Sequence, residues 1–288
     1  MFVWDVSPVL LTVGPVQVRY YGLLFALMLI GGYYLWQWQV LRGGHTQKQA
    51  EGFFLWGAIA VIGGARLGEV LFYDPGRFLT HPIEIFYVWQ GGLSSHGATL
   101  GLVLALYLYA RRQRLSKLEV LDRFSMSAAI GAVSVRIGNF LNSEVVGRKT
   151  DLPWAVKFPR SLYDHGLPLD QAPARHPSQV YEALLGLGVL LILYLTDRRL
   201  GEDRPLGLLA GFFLLLYFSG RFFTEFFKEW ETLSPETSPF TMGQFLSIPF
   251  ILLGAWVTYR AMKTNTPTSS LGAPTATKKG AKKKRRAA

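Results

Sequence analysis

The 288-residue chain contains no cysteine. Disulfides, thiolate metal sites and a cysteine nucleophile of its own are therefore excluded. Charge is also scarce: Asp, Glu, Lys and Arg make up 17% of the residues, against about 25% in soluble domains. That scarcity leaves long apolar windows. Residues 86–110 and 242–259 carry no formal charge at all, and about 20 predominantly apolar residues suffice to cross the hydrocarbon core of a bilayer. The expected fold class is an all-α, polytopic membrane protein. No basic stretch precedes the first apolar span, so a cleaved signal peptide is not expected and that span stays as a helix. No stretch repeats with a period of 20–50 residues, which gives no sign of internal symmetry.

Seven transmembrane helices are expected, at roughly 18–41, 53–73, 86–110, 124–141, 180–196, 206–227 and 242–260. Basic residues orient them. Loops 42–52, 111–123 and 197–205 and the segment from Arg260 carry 2, 5, 3 and 9 Lys or Arg, while the opposite side carries 8. Cytoplasmic loops are the basic ones, which places the N-terminus outside and the C-terminus in the cytoplasm. An odd number of spans requires the same split. The expected organisation is a membrane domain over 1–262, with a long outer loop at 142–179 bearing Trp154 and Tyr163 as interfacial anchors, and a basic tail over 263–288. Seven of the thirty basic residues lie in Lys278–Arg286, and removing them from the net +11 leaves +4. A tail of this composition reads as disordered and solvated, or as lying against anionic headgroups. No nucleic-acid partner is expected.

The informative residues are polar ones at membrane depth. Arg136 lies within the fourth span, where a guanidinium costs about 2.5–3.5 kcal/mol on insertion scales. Asn139 shares its helix face, and Asn142 and Glu144 follow closely. Arg136 either pairs structurally with Glu144 or Glu225 or serves a ligand. Arg221 and Glu225, four apart near the outer end of the sixth span, either neutralise one another or contribute to the same site. Arg66 and Glu69 invite the first of those readings. His96 in the third span can accept a proton near neutral pH or make an interhelical hydrogen bond. Tyr20 and Tyr21 open the first span as belt residues or as part of a site. Gln179 and Glu182 turn polar groups into the bundle from the start of the fifth span. Two arginines in its outer half form an anion site, because guanidinium forks match phosphate. At that depth the phosphate is expected to belong to a phospholipid headgroup. The residues alone leave the reaction open.

The run Arg-Ile-Gly-Asn-Phe-Leu-Asn-Ser-Glu-Val-Val-Gly-Arg (136–148) resembles the signature of the prolipoprotein diacylglyceryl transferases of the bacterial inner membrane. Gly-Pro-Val (14–16), Arg-Tyr-Tyr-Gly (19–22), Gly-Gly-Leu-Ser-Ser-His-Gly (91–97), His-Pro-Ser-Gln-Val-Tyr-Glu (176–182) and Arg-Phe-Phe-Thr-Glu-Phe-Phe (221–227) fall in that family's order. The likeness covers about residues 5–262 and leaves out the basic tail. There are departures: Ala98 and Ser143 stand where the family often has glycine, and Glu69 where it often has an aromatic residue. None removes a functional position.

The resemblance implies transfer of the diacylglyceryl group of phosphatidylglycerol to the lipobox cysteine thiol of a preprolipoprotein. The products would be a thioether-linked lipid and glycerol 1-phosphate, with no cofactor and no metal. It further implies a phosphate clamp at Arg136 and Arg221, a base or thiol-orienting role for His96, and headgroup positioning by Tyr21 and Asn139. Glu144 and Glu225 would fix the arginines or accept a proton. Gln179 would join the binding site, and Gly147 and Arg148 would shape its outer mouth. Rival readings fare less well. A lipid transporter would share the buried arginines, but paired broken helices in two halves are not seen. An intramembrane serine protease would need an activated serine, and no His-Glu-x-x-His stretch supports a metalloprotease.

Overall fold

The structure, a computed structural model, describes residues 2–14, 16–88, 91–230 and 233–271. The expected basic tail lies outside the described residues from position 272 onward. Among the described residues nine α-helices follow in order: α1 (Tyr20–Arg42), α2 (Gln47–Glu51), α3 (Phe54–Gly68), α4 (Pro75–Thr80), α5 (Ser95–Gln113), α6 (Lys117–Leu141), α7 (Ser178–Leu200), α8 (Leu208–Thr224) and α9 (Met242–Thr264). Six helical segments are long and apolar enough to cross a membrane by length and composition: Tyr20–Arg42, Gln47–Tyr73, Lys117–Leu141, Ser178–Asp203, Leu208–Phe227 and Met242–Thr264. The chain is a mostly helical, multi-pass membrane protein.

The window expected as a third span, 86–110, is corrected at its start. Residues 91–94 are not helical, and Gly91 and Gly92 sit at φ of 91° and 66°. That left-handed backbone interrupts a helix that hydropathy alone would let run on. α5 begins only at Ser95, with the Ser94 hydroxyl accepting from Gly97 N–H. α6 differs the other way. It starts at Lys117 rather than near 124 because its charged first turns are buried and paired: Arg123 with Glu119 at 2.9 Å, and Asp122 with Gly207 N–H and Ala210 N–H at 2.6 and 2.8 Å. The Asp122 carboxylate thus satisfies donors that the α8 N-terminus would otherwise leave orphaned.

Short strands supplement the helices. β1 (Phe2–Val3) pairs parallel with β4 (Val156–Lys157), which pairs antiparallel with β5 (Ala174–Arg175); β2 (Val9–Val13) and β3 (Val16–Arg19) form a hairpin. The long loop at 142–179 is therefore folded. Val146, Val156 and Phe158 make a small core beneath it, with Trp4 and Phe140 packed on top.

The chain divides into two compact units. The first comprises Met1–Trp36, Leu118–Gly201 and Pro205–Asn265; the second comprises Gln37–Lys117, Glu202–Arg204 and residues from Thr266 onward. In the first, small residues let helices close up: Gly211 faces Thr258, and Gly254 faces the Leu215 backbone, so α8 and α9 pack nearly backbone to backbone. In the second, Gly64 and Gly68 of α3 meet Gly97 and Gly101 of α5 in the same way. Arg66, buried on α3, does not pair with Glu69. It donates to the carbonyls of Glu84, Ile85, Gly91 and Gly92 and lies over the Phe78 ring. It is a clamp on the connection that precedes α5.

Candidate active site

Four segments of the first unit converge on one cluster, buried at Glu182, Glu225 and Lys228 and open at Glu144. α6 supplies Arg136 and Asn139, and the turn after it supplies Asn142 and Glu144. The first turns of α7 supply Gln179 and Glu182, and the end of α8 supplies Arg221, Glu225 and Lys228. Glu182 is the hub, 1% exposed. Its carboxylate lies 2.6 Å from Arg136 Nε, 3.8 Å from Arg221 Nη1 and 3.9 Å from Lys228 Nζ. Neither of its oxygens has a well-aligned hydrogen bond among the described residues, so charge alone holds it. Glu225 takes Lys228 at 2.7 Å and the Thr241 hydroxyl at 2.9 Å, and lies 3.7 Å from Arg221. The Arg221–Glu225 pair foreseen from their spacing is thus real but secondary to Lys228.

Arg136 extends the cluster in a second direction. Its Nη1 donates to Asn139 Oδ1 at 3.3 Å, Asn139 Nδ2 donates to Glu144 at 3.0 Å, and Asn142 Nδ2 donates to the other Glu144 oxygen at 3.1 Å. The direct partner of Arg136 is therefore Glu182, not Glu144 or Glu225; Asn139 relays to Glu144. Tyr21 packs against this helix face, since a Cβ at Gly138 would stand 2.6 Å from its ring.

The turn after α6 has an unusual backbone. Ser143 and Val145 sit at φ of 57° and 54° on either side of Glu144, a region that L-residues occupy at a cost of roughly 1–2 kcal/mol. The bends send the Glu144 carbonyl to Gln179 Nε2 at 2.6 Å and the Val145 carbonyl to the Ser178 hydroxyl at 2.9 Å. The Ser143 hydroxyl is buried without a hydrogen bond. Ser143→Gly should therefore raise the unfolding free energy by about 1 kcal/mol, since the left-handed strain and the stranded hydroxyl outweigh glycine's backbone entropy. Thermal unfolding in detergent checks this; an unchanged or lower Tm would contradict it.

Gly147 and Arg148 run between two backbones. Gly147 N–H donates to His176 O at 3.1 Å and Arg148 N–H to Phe227 O at 2.9 Å, while Arg148 Nε reaches Lys228 O at 2.8 Å. Arg175 ties this strip to its surroundings. Its guanidinium binds both Asp164 oxygens at 2.6 and 2.8 Å, Glu229 at 2.6 Å and Gly147 O at 3.2 Å. Burial works against the charge of Arg175, but Asp164 and Glu229 more than offset it and its pKa is raised. Nearby, burial pushes the His176 imidazole below its ordinary value; its Nδ1 lies 3.2 Å from the Tyr181 hydroxyl. The anchors expected in this loop make polar contacts: Trp154 Nε1 donates to Tyr181 Oη at 2.8 Å and the Tyr163 hydroxyl to Trp230 O at 3.3 Å.

The first unit therefore brings together Tyr21, Arg136, Asn139, Glu144, Gln179, Arg221 and Glu225, and sets Gly147 and Arg148 beside Lys228. His96 belongs to the second unit, in the first turn of α5, with Nδ1 3.2 Å from the Tyr73 hydroxyl oxygen. Lys228 was missing from the expected set, and Glu182 was expected only as a polar group turned into the bundle. Both carried a signal, since Glu182 follows Gln179 and Lys228 follows Glu225 by one helical turn. Chemically, the cluster offers three cations balanced by carboxylates and partly released by poor alignment, which suits capture of an anion.

The family model described as prolipoprotein diacylglyceryl transferase matches residues 8–260 of this chain. The chain belongs to the prolipoprotein diacylglyceryl transferase family. As a member it is a transferase. A phosphatidylglycerol–prolipoprotein diacylglyceryl transferase of Porphyromonas gingivalis is 43% identical over 272 residues, covering 90% of this chain and 94% of that protein. Proteins of the same name from Nitrosomonas europaea and Chloroherpeton thalassium are 40% and 37% identical, covering 89% and 90% of this chain and 90% and 94% of their own. The match includes every residue of the cluster and leaves out the basic tail.

Proposed function

We propose that this transferase moves the diacylglyceryl group of phosphatidylglycerol onto the lipobox cysteine thiol of a preprolipoprotein, forming a thioether and releasing glycerol 1-phosphate. The observation that carries the reading is the cluster of Arg136, Arg221 and Lys228 around a Glu182 carboxylate that has no aligned hydrogen bond. A phosphodiester competes with Glu182 for these cations. As the carbon–oxygen bond breaks, charge grows on the departing phosphate, and fixed cations favour that state over the ground state. Arg136 and Arg221 supply the clamp, and Lys228 adds a third charge. Tyr21, Asn139 and Gln179 position the headgroup, Glu144 and Glu225 hold the cations in place, and Gly147 and Arg148 shape the entrance. The role carried over from the family to His96 is to accept the thiol proton or to orient the thiol; we take the first, since an ordinary thiol of pKa near 8.5 is only a few per cent ionised at neutral pH.

The same proposal covers topology. The bundle crosses the bacterial inner membrane seven times, N-terminus outside and C-terminus in the cytoplasm, with the cluster towards the outer half. α5 is the seventh crossing. Its 19 residues span about 28 Å at 1.5 Å each, and Leu100, Val103, Leu104 and Leu108 are exposed along it. Residues 1–262 form the catalytic membrane domain, and 263–288 a basic cytoplasmic tail.

The test is chemical coupling. Protein in nanodiscs of phosphatidylglycerol should release glycerol phosphate only when a lipobox peptide with a free thiol is added. Release without peptide, or with a cysteine-to-serine peptide, would indicate a lipid hydrolase instead. Deleting residues 272–288 should leave this release within about twofold of the full chain, because surface charge of this kind tunes membrane association rather than chemistry. A tenfold loss would place the tail in the catalytic cycle.

A further inference from the structure

The residues fastened around His96 in the second unit point to a role for Tyr73. α3 does not end as an α-helix. Its continuation, Glu69–Tyr73, is a π-helical turn closed by Asp74 N–H donating to Glu69 O at 3.1 Å, five residues back. Single π-helical turns of this kind occur frequently at functional sites. Here the turn leaves the Tyr73 hydroxyl oxygen 3.2 Å from Nδ1 of His96.

The frame around the two rings is stiff. Gly68, the residue before the π turn, lies against Gly97 and Ser94, so closely that a Cβ there would stand 2.8 Å from the Gly97 Cα. Ser94 N–H donates to Ala65 O at 2.9 Å, joining the start of α5 to the end of α3. Arg66 holds the connection into α5 by four backbone carbonyls. A belt tyrosine needs none of this, since it has only to reach the interface. His96 and Tyr73 are both accessible, so the imidazole can meet a substrate while the phenol holds its other side.

We propose that Tyr73 is a positioning residue for His96, accepting a hydrogen bond from Nδ1–H and so leaving the Nε2 lone pair to receive the substrate thiol proton. This rests on the reading of His96 as the proton acceptor. In the step itself the S–H bond breaks and the proton passes to Nε2. The sulfur bonds to the glyceryl carbon that carries the phosphate, and the carbon–oxygen bond breaks with its electron pair leaving on the phosphate. The imidazolium then returns its proton to the phosphate or to water. Fixing one ring nitrogen through a third group is how basic histidines are held in the useful tautomer. On protonation, Nδ1–H keeps its acceptor, so the imidazolium is stabilised where it forms.

The experiment uses the full chain in phosphatidylglycerol nanodiscs, with a lipobox peptide and ¹⁵N-labelled histidine. In the parent protein His96 should appear as the Nδ1–H tautomer. Tyr73→Phe should shift it towards Nε2–H and lower kcat about tenfold with KM changed by less than about twofold, a loss smaller than the roughly 10²–10⁴-fold that a whole general base contributes. His96→Ala should cost at least as much, and the double variant should lose no more than His96→Ala alone, since the two act as one unit. A Tyr73→Phe protein with unchanged kcat, an unchanged tautomer, or additive losses would overturn the role of Tyr73 while leaving His96 as base. Full activity in His96→Ala would overturn the base reading itself, and the proposal with it.

Discussion

Turnover by the Arg136→Ala protein is expected to fall by about 10²–10³-fold or more, the usual cost of deleting a cation or donor aimed at developing charge. Two effects act on that substitution. Arg136 is the nearest cation to Glu182, at 2.6 Å against 3.8 Å for Arg221 and 3.9 Å for Lys228. Removing one partner of a buried pair costs about 3–5 kcal/mol, because the other charge is left uncompensated. The remaining two cations soften that penalty. The variant should therefore fold with a lower Tm. The two effects separate in the double variant Arg136→Ala/Glu182→Gln, where neutralising the stranded carboxylate should recover most of the lost Tm and none of the lost turnover. Arg136→Lys should keep the charge, lose the planar fork and fall between. If Arg136→Ala were near normal in rate, or if the double variant recovered activity along with stability, Arg136 would be a structural counter-ion only.

Gly147→Ala is expected to be nearly as damaging, for a steric reason. A Cβ there would stand 2.5 Å from the Cβ of His176 and 2.7 Å from Phe227 O, and closer still to His176 O. Two of these three contacts are backbone, which cannot swing aside. The strip must move, breaking Gly147 N–H to His176 O or Arg148 N–H to Phe227 O. Lys228 pairs with Gly147 across this strip and accepts from Arg148 Nε, so it would be dragged from Glu182 and Glu225. Misplacement by about 1 Å costs about 10²-fold in a positioned site. Gly188→Ala is the control. It lies in α7 with nothing within 4 Å, so the extra methyl should be neutral or slightly stabilising. Equal losses in the two variants would mean that the membrane body tolerates no added volume, and the specific role of Gly147 would lapse.

Much of this was legible in the chain. Apolar length located the first and last spans to within a few residues, since α1 and α9 have no interruptions that hydropathy can miss. It failed at α5, where left-handed Gly91 and Gly92 stop the helix inside an uncharged window, because hydropathy reports solvent preference and not backbone conformation. It failed again at the start of α6. Glu119, Asp122 and Arg123 look like loop residues until their partners are known, and the Asp122 partners are two amides beyond the far end of α7. The site divides along the same line. Arg136 and Arg221 stood out because an isolated charge at membrane depth demands an explanation. Glu182 was visible only as an inward polar group and Lys228 only by its spacing from Glu225, because a carboxylate at a helix start and a lysine just past a helix end look ordinary. Only their convergence on one point shows that the arginines share a counter-ion.

Capture of the diacylglyceryl group by a thiol as the phosphate departs is read by incubating purified protein with phosphatidylglycerol and a lipobox peptide and weighing the peptide by mass spectrometry. A gain of one diacylglyceryl group on the cysteine, resistant to hydroxylamine as a thioether should be, is the expected result. Unmodified peptide from a folded preparation that still binds phosphatidylglycerol, or a gain carried equally by a cysteine-to-serine peptide, would contradict it.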